Sequence, residues 1–126
     1  MPLVLALFAV LTVFTGCAHH AQVRPAGVVF ACGDGNFYAT RMSWTHWGSA
    51  DAEGIGVAYV NDCTPYCAAG HFHTYKLSVR LSRPVVCVKG RREFSRITWR
   101  FTAAKPAHVA RADGETLPCR FLKLKP

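Results

Sequence analysis

The run Thr74 to Arg83, TYKLSVRLSR, sets Tyr75, Leu77, Val79 and Leu81 at alternate positions, with Lys76, Arg80 and serines between them. Successive side chains of an extended strand point to opposite faces, so a period of two describes a half-buried strand. Ser95 to Phe101 repeats the pattern, with Ile97, Trp99 and Phe101 on one side and Arg96, Thr98 and Arg100 on the other. Val85 to Glu93, crowned by Lys89-Gly90, would join the two as an antiparallel hairpin. Val28 to Cys32, Phe37 to Trp47 and Gly54 to Val60 read as three more strands, bounded by Gly33-Asp34-Gly35-Asn36, Gly48-Ser49-Ala50-Asp51 and Asn61-Asp62. The expected class is therefore all-β, an antiparallel β-sandwich or small barrel held by disulfides. The glycines of CGDGN form a turn in this reading, since no helix pattern follows them. Trp44 and Trp47, three apart on one strand, should face opposite sides unless a bulge intervenes, which argues for core packing over a flat sugar platform.

The meaning of the cysteines depends on the compartment, and the N-terminus addresses that. Leu3 to Phe14 is twelve apolar residues without a charge, the length of a signal-peptide core and too short to span ~30 Å of hydrocarbon as a helix. Phe14-Thr15-Gly16-Cys17 resembles the lipobox of bacterial lipoproteins, which implies lipidation of Cys17 as the first mature residue. Phe14 departs from that motif, where leucine is usual, and cleavage after Ala18 is the alternative. The domain reading is a signal peptide over 1–16, helical or disordered, a tether over 17–27 that holds His19 and His20 as spacers, and one β domain over 28–126.

In an exported chain nearby thiols are expected to pair. Cys63, Cys67, His71 and His73 form C-x3-C-x3-H-x-H, but zinc ligand pairs are usually separated by a dozen or so residues, so a staple is favoured over a metal site or a Cys-His nucleophile. Besides Cys17 there are five cysteines, and Cys119, in the tail ETLPCRFLKLKP, is taken as the odd one. Cys32, Cys63, Cys67 and Cys87 then allow three connectivities. A Cys63–Cys67 bridge would close only the Pro65 turn. Links from that pair to Cys32 and Cys87 would constrain the unfolded chain more, by ~2–4 kcal/mol each, and are preferred.

Ala31-Cys32-Gly33-Asp34-Gly35-Asn36, Trp44-Thr45-His46-Trp47-Gly48 and the segment from Asn61 through Phe72 follow one another in strand-and-turn order, with Tyr75 and Leu81-Ser82-Arg83-Pro84 behind them. Over about residues 28 to 102 the chain resembles small exported proteins of actinomycetes that carry W-x2-W-G and D-C-x-P-x-C-A-x-G-x-F motifs. The resemblance implies export and a compact cysteine-bridged β domain, in a family without an assigned biochemical activity. The tail from Ala103 departs from the pattern.

Charge separates the two halves. Residues 1 to 75 carry two basic and four acidic side chains, net −2, whereas residues 76 to 126 carry thirteen and three, net +10. Export removes nucleic acid as a partner and leaves lipid headgroups and anionic envelope polymers. Lys76, Arg80, Lys89, Arg91, Arg92, Arg96 and Arg100 fall on the outward side or crown of the hairpin and are the candidate anion-binding residues. The acids Asp34, Asp51, Glu53, Asp62, Glu93, Asp113 and Glu115 could in principle supply an acid–base pair, but several lie in turn-like stretches where Asp commonly satisfies backbone amides. No Ser-His-Asp pattern or glycine-framed nucleophile is visible. The expected function is a non-catalytic envelope lipoprotein or secreted binding or structural module without cofactor or metal, with a small secreted hydrolase as the alternative.

Overall fold

The computed structural model describes residues 11–18, 20–87 and 90–119. Its strands are β1 (Thr12–Val13), β2 (Val28–Val29), β3 (Phe37–Trp47), β4 (Ala52–Asn61), β5 (Phe72–Val86), β6 (Arg92–Phe101) and β7 (Ala112–Thr116). They form one sheet in the order β1-β6-β5-β4-β3-β2, with β7 also paired to β6. Only β1 and β6 run parallel. The fold is all-β with disulfides as expected, and of the sandwich and small barrel that the sequence allows it is nearer the barrel, a single curled mixed sheet that forms a half-barrel.

The alternating hairpin forms as the sequence predicts. Leu77 lies opposite Phe101, Val79 opposite Trp99 and Leu81 opposite Ile97. Leu77, Val79, Leu81, Ile97 and Phe101 are fully buried, each contributing ~1.5–3 kcal/mol by removal from water.

β4 contributes almost nothing to the inner face except backbone. Ala52, Gly54, Gly56 and Ala58 lie opposite Leu81, Val79, Leu77 and Tyr75 of β5. On the other side, register shifts between Thr40 and Ser43 and between Trp44 and His46 set Trp44 against Gly54 and Trp47 against Ala52. The bulge brings both indoles to the inner face, edge to face with ring centroids 4.9 Å apart at 85°. They pack in the core and form no platform. Each indole N–H finds a carbonyl: the partly buried Trp44 Nε1 donates to Pro25 O (2.8 Å) and the buried Trp47 Nε1 to Thr12 O (3.0 Å).

Among the described residues, strand structure is already present at Thr12, ahead of Val28, where the sequence reading starts the β domain. Thr12 and Val13 pair with Arg92 and Glu93. Phe14 is buried in the core and exchanges two backbone hydrogen bonds with Gln22, of 2.9 and 2.8 Å. The segment read as a tether is therefore packed in part. Leu3 to Val10, His19 and Lys89 lie outside the described residues.

The cysteine pairing also departs from expectation. Cys17 bonds to Cys32, Cys63 to Cys67 and Cys87 to Cys119. Cys119 is not the odd cysteine, because β7 runs antiparallel to β6 and Leu117 N donates to Ser95 O (2.7 Å), returning the tail to the end of β5. Cys63 and Cys67 close their own turn because Asn61 and Asp62 fold it locally. Asn61 Oδ1 accepts from Cys63 N, Asn61 Nδ2 donates to Cys67 O, and Asp62 Oδ1 accepts from Thr64 N.

A Cβ at Gly54 would come within 2.8 Å of Cε3 of Trp44 and 3.0 Å of the Ser43 carbonyl, so no side chain fits without moving the indole or β3. Gly54→Val should lower stability by ~1–3 kcal/mol through overpacking, read as a shift of the urea unfolding midpoint. An unchanged midpoint would show that the indole does not lie on bare backbone.

Candidate functional site

The outer face of the hairpin is the side opposite this core. In register across it lie Glu53, Arg80, Thr98 and Gly114 on β4, β5, β6 and β7, and beside that row lie Ile55, Ser78, Arg100 and Ala112. Arg96 occupies the next outward position of β6, opposite Ser82 and Thr116. These residues line an open trough of about 600 Å³. Arg96 and Arg100 stand four residues apart on one strand, ~13 Å between Cα atoms. Thr98 between them and Gly114 beside them leave the floor low. A Cβ at Gly114 would come within 2.7 Å of Thr98 Cγ2 and 2.9 Å of Arg96 Nη2, so the missing side chain makes room for the guanidinium.

The three arginines differ in their partners. Arg80 Nη2 reaches Asp51 Oδ2 at 3.1 Å and its Nε reaches Glu53 Oε2 at 3.5 Å. His46 Nε2 donates to the other oxygen of Asp51 at 2.8 Å. The hydrogen bond from His46 holds the Asp51 carboxyl below its ordinary value, and the Arg80 guanidinium adds to the effect. Arg80 is thus neutralised and tied to the β3–β4 turn. Among the described residues no carboxylate pairs with Arg96 or Arg100.

The remaining predicted cations scatter. Lys76 lies at the far end of β5 and, with Arg41, borders a shallow depression of about 360 Å³ that shares Ile55 with the trough. Arg41 was not legible in the sequence, since it sits with φ 53° at the bulge that resets the alternation of β3. Arg91 turns back to the buried Glu93, with Nε 3.5 Å from Oε2. Arg92 is half-buried beside β1. Of the crown cations, the two that are described, Arg91 and Arg92, are both half-buried.

The C-x3-C-x3-H-x-H stretch builds something other than a metal centre. Its two sulfurs are bonded to each other. Asp62 Oδ1 accepts from the backbone N–H of Thr64 (3.1 Å) and of His71 (3.0 Å), and its Oδ2 accepts from His73 Nε2 (2.9 Å). No group of three metal-ligating side chains converges among the described residues. Asp62 and His73 border a cavity of about 440 Å³ with Thr64, Tyr75 and His108. The hydrogen bond from His73, followed by those from His71 and Thr64, lowers the Asp62 carboxyl to about 2. Two other acids also accept from nearby backbone: Asp34 Oδ1 from Asn36 N in a turn, and Asp113 Oδ1 from Gly114 N within β7.

No family model matches the chain, and no curated protein or solved structure matches it either.

Asp62 gives the loop a pH dependence of definite sign. Its value falls from 3.8 to about 2 on folding, so its contribution is complete above about pH 4 and is lost as pH falls through about 2. Asp62→Asn should lower Tm, with a difference from wild type that is constant above about pH 5 and shrinks between about pH 4 and pH 2. Thermal melts across that range measure it. A difference independent of pH would mean that the ionised carboxylate does not hold this loop.

Proposed function

We propose that this chain is an exported cell-envelope protein that binds an anionic polymer or lipid surface, without catalysis, through the outer face of its sheet. The observation that carries the reading is the pair Arg96 and Arg100, two guanidiniums without a carboxylate partner on the rim of one open trough. Arg96 and Arg100 each stand diagonal to Arg80 across the β5–β6 pair, where like charges destabilise the sheet and an anion offsets that cost. Guanidinium groups also suit phosphate and carboxylate, which they can bind bidentately. Three disulfides support export, because such bridges persist in oxidising compartments.

A hydrolase would have to draw on an Asp–His pair such as Asp62–His73 or Asp51–His46, and the carboxylate of Asp51 is already shared with Arg80. Both oxygens of Asp62 are taken up by Thr64, His71 and His73, and no hydroxyl or thiol among the described residues hydrogen-bonds to His73 as a nucleophile would. Binding is the better supported reading.

Co-sedimentation with phosphatidylglycerol vesicles, phosphatidylcholine vesicles and an anionic wall polymer, at low and high salt, tests the proposal. Binding to an anionic target should appear at low salt and fade as the Debye length shrinks below ~8 Å. Arg96→Ser with Arg100→Ser should weaken it by about 30-fold, from ~1 kcal/mol for each basic residue near an anionic surface. Arg111→Ser is the net-charge control, since Arg111 Nη1 already donates to the carbonyls of Phe101 and Ala103. An equal loss in that control, or no binding at low salt, would overturn the site.

A further inference from the structure

The segment Thr12 to Cys17 looks removable in the sequence and is built into the fold. Thr12 and Thr15 are as buried as the central hydrophobic residues, at 0% and 3% exposure, and Phe14 is at 2%. Four separate needs of the domain are met there. Trp47 Nε1, buried under β3, has Thr12 O as its acceptor. Thr12 Oγ1 donates to Ser49 O at 2.6 Å and so fastens the β3–β4 turn. The Arg92–Glu93 end of β6 has β1 as a neighbour. Glu93, a carboxylate at 3% exposure, receives the Thr15 hydroxyl on Oε1 at 2.9 Å, whereas its Oε2 has no hydrogen bond and only the charge of Arg91 nearby, Nε at 3.5 Å.

Cutting the chain after Gly16 or Ala18 would remove all four at once. A buried indole N–H without an acceptor and a buried carboxylate stripped of its hydroxyl each carry the full penalty of an unsatisfied polar group. The cavity left by Phe14 would add to it. Cys17 meets a second constraint, since its sulfur is bonded to Cys32. Lipidation requires the Cys17 thiolate to form a thioether, and a sulfur held in a disulfide has no thiolate to offer.

We propose that Thr12–Cys17 is a permanent strand and staple of the mature protein: any leader cut falls before Thr12, and Cys17 carries a disulfide and no lipid. The bridge forms when the Cys17 and Cys32 thiols give up two protons and two electrons to a disulfide oxidant, which leaves as a dithiol. The membrane attachment implied by the lipobox-like FTGC is thereby replaced by a covalent tie to the loop after β2.

The test is to express the full chain in an exporting host, recover the folded protein, and determine its N-terminus and its peptide map with and without reductant. The expected result is a chain that begins at or before Thr12 and a peptide joining Cys17 to Cys32 that separates on reduction. A chain that begins at Cys17 or later, an acylated Cys17, or a free Cys17 thiol would overturn the proposal. A second measurement reads the packing alone. Phe14→Ala in the same protein should lower Tm by more than about 10 °C, and an unchanged Tm would show that the segment is not part of the domain.

Discussion

The fold depends on the absence of side chains along the inner face of β4. Ala52, Gly54, Gly56 and Ala58 leave a lane of backbone one strand wide, and Met42, Trp44 and Trp47 of β3 occupy it. Large residues in that lane would hold β3 and β5 at the spacing of a flatter sheet. With the lane empty, the indoles lie close over the strand and the sheet curls round them. Gly in a strand interior weakens it locally, so the arrangement is stable only because the indoles return the lost burial. Their N–H groups then determine what else must be present. The Trp47 N–H needs an acceptor because it is buried, the Trp44 N–H is partly buried, and the two carbonyls that serve, Thr12 O and Pro25 O, belong to the N-terminal segment. A bare strand in the middle of the sheet thus recruits residues from the beginning of the chain.

The outer face follows from the same geometry. Burial of Leu77, Val79, Leu81, Ile97 and Phe101 forces the intervening basic residues of β5 and β6 into solvent. Arg80 stands opposite Thr98, diagonal to both Arg96 and Arg100, so repulsion among them is unavoidable in this register. The β3–β4 turn compensates one of the three with Asp51 and Glu53. Exposed pairs of this kind contribute only ~0–1 kcal/mol, so their main effect is to fix where Arg80 points. The uncompensated field then lies toward β6 and β7, where Gly114 leaves space above the sheet.

Much of this was legible where one face alone decided the pattern. The β5–β6 hairpin was readable because burial on one side and solvent on the other impose a period of two on ten consecutive residues. The span of β3 was readable too, but its facing was not, because two register shifts between Thr40 and His46 carry no signature in residue type. Arg41 and the shared face of the indoles were both lost for that reason. β7, Ala112–Thr116, buries none of its residues, so it has no apolar alternation to detect and is defined by pairing with β6 alone. Missing β7 led to the misreading of Cys119. In the N-terminal segment an apolar run that suits a leader also suits a buried strand such as β1, so residue type alone does not separate the two.

The disulfides sit where pairing ends. A single curled sheet, unlike a closed barrel, leaves its outer strands short of neighbours, and here the outermost strands β1 and β2 are two residues each. Segments that short make few ladder hydrogen bonds, so although Val13, Phe14 and Val28 are buried, the ends gain from a covalent tie. Cys17–Cys32 ties the two peripheral segments to each other across 15 residues of chain, and Cys87–Cys119 ties the strand that covers β6 back to the end of β5 across 32. Closing loops of that length removes about 3 kcal/mol or more of unfolded-state entropy per bridge, comparable to burying one or two large side chains. The central four strands supply most of the core, and the periphery, which adds Phe14, Val28 and Phe30 to it, is fastened by sulfur as well. The trough draws on both, because Arg96 and Arg100 stand on a central strand while Gly114, which keeps the space beside them open, stands on a strand held in part by Cys119.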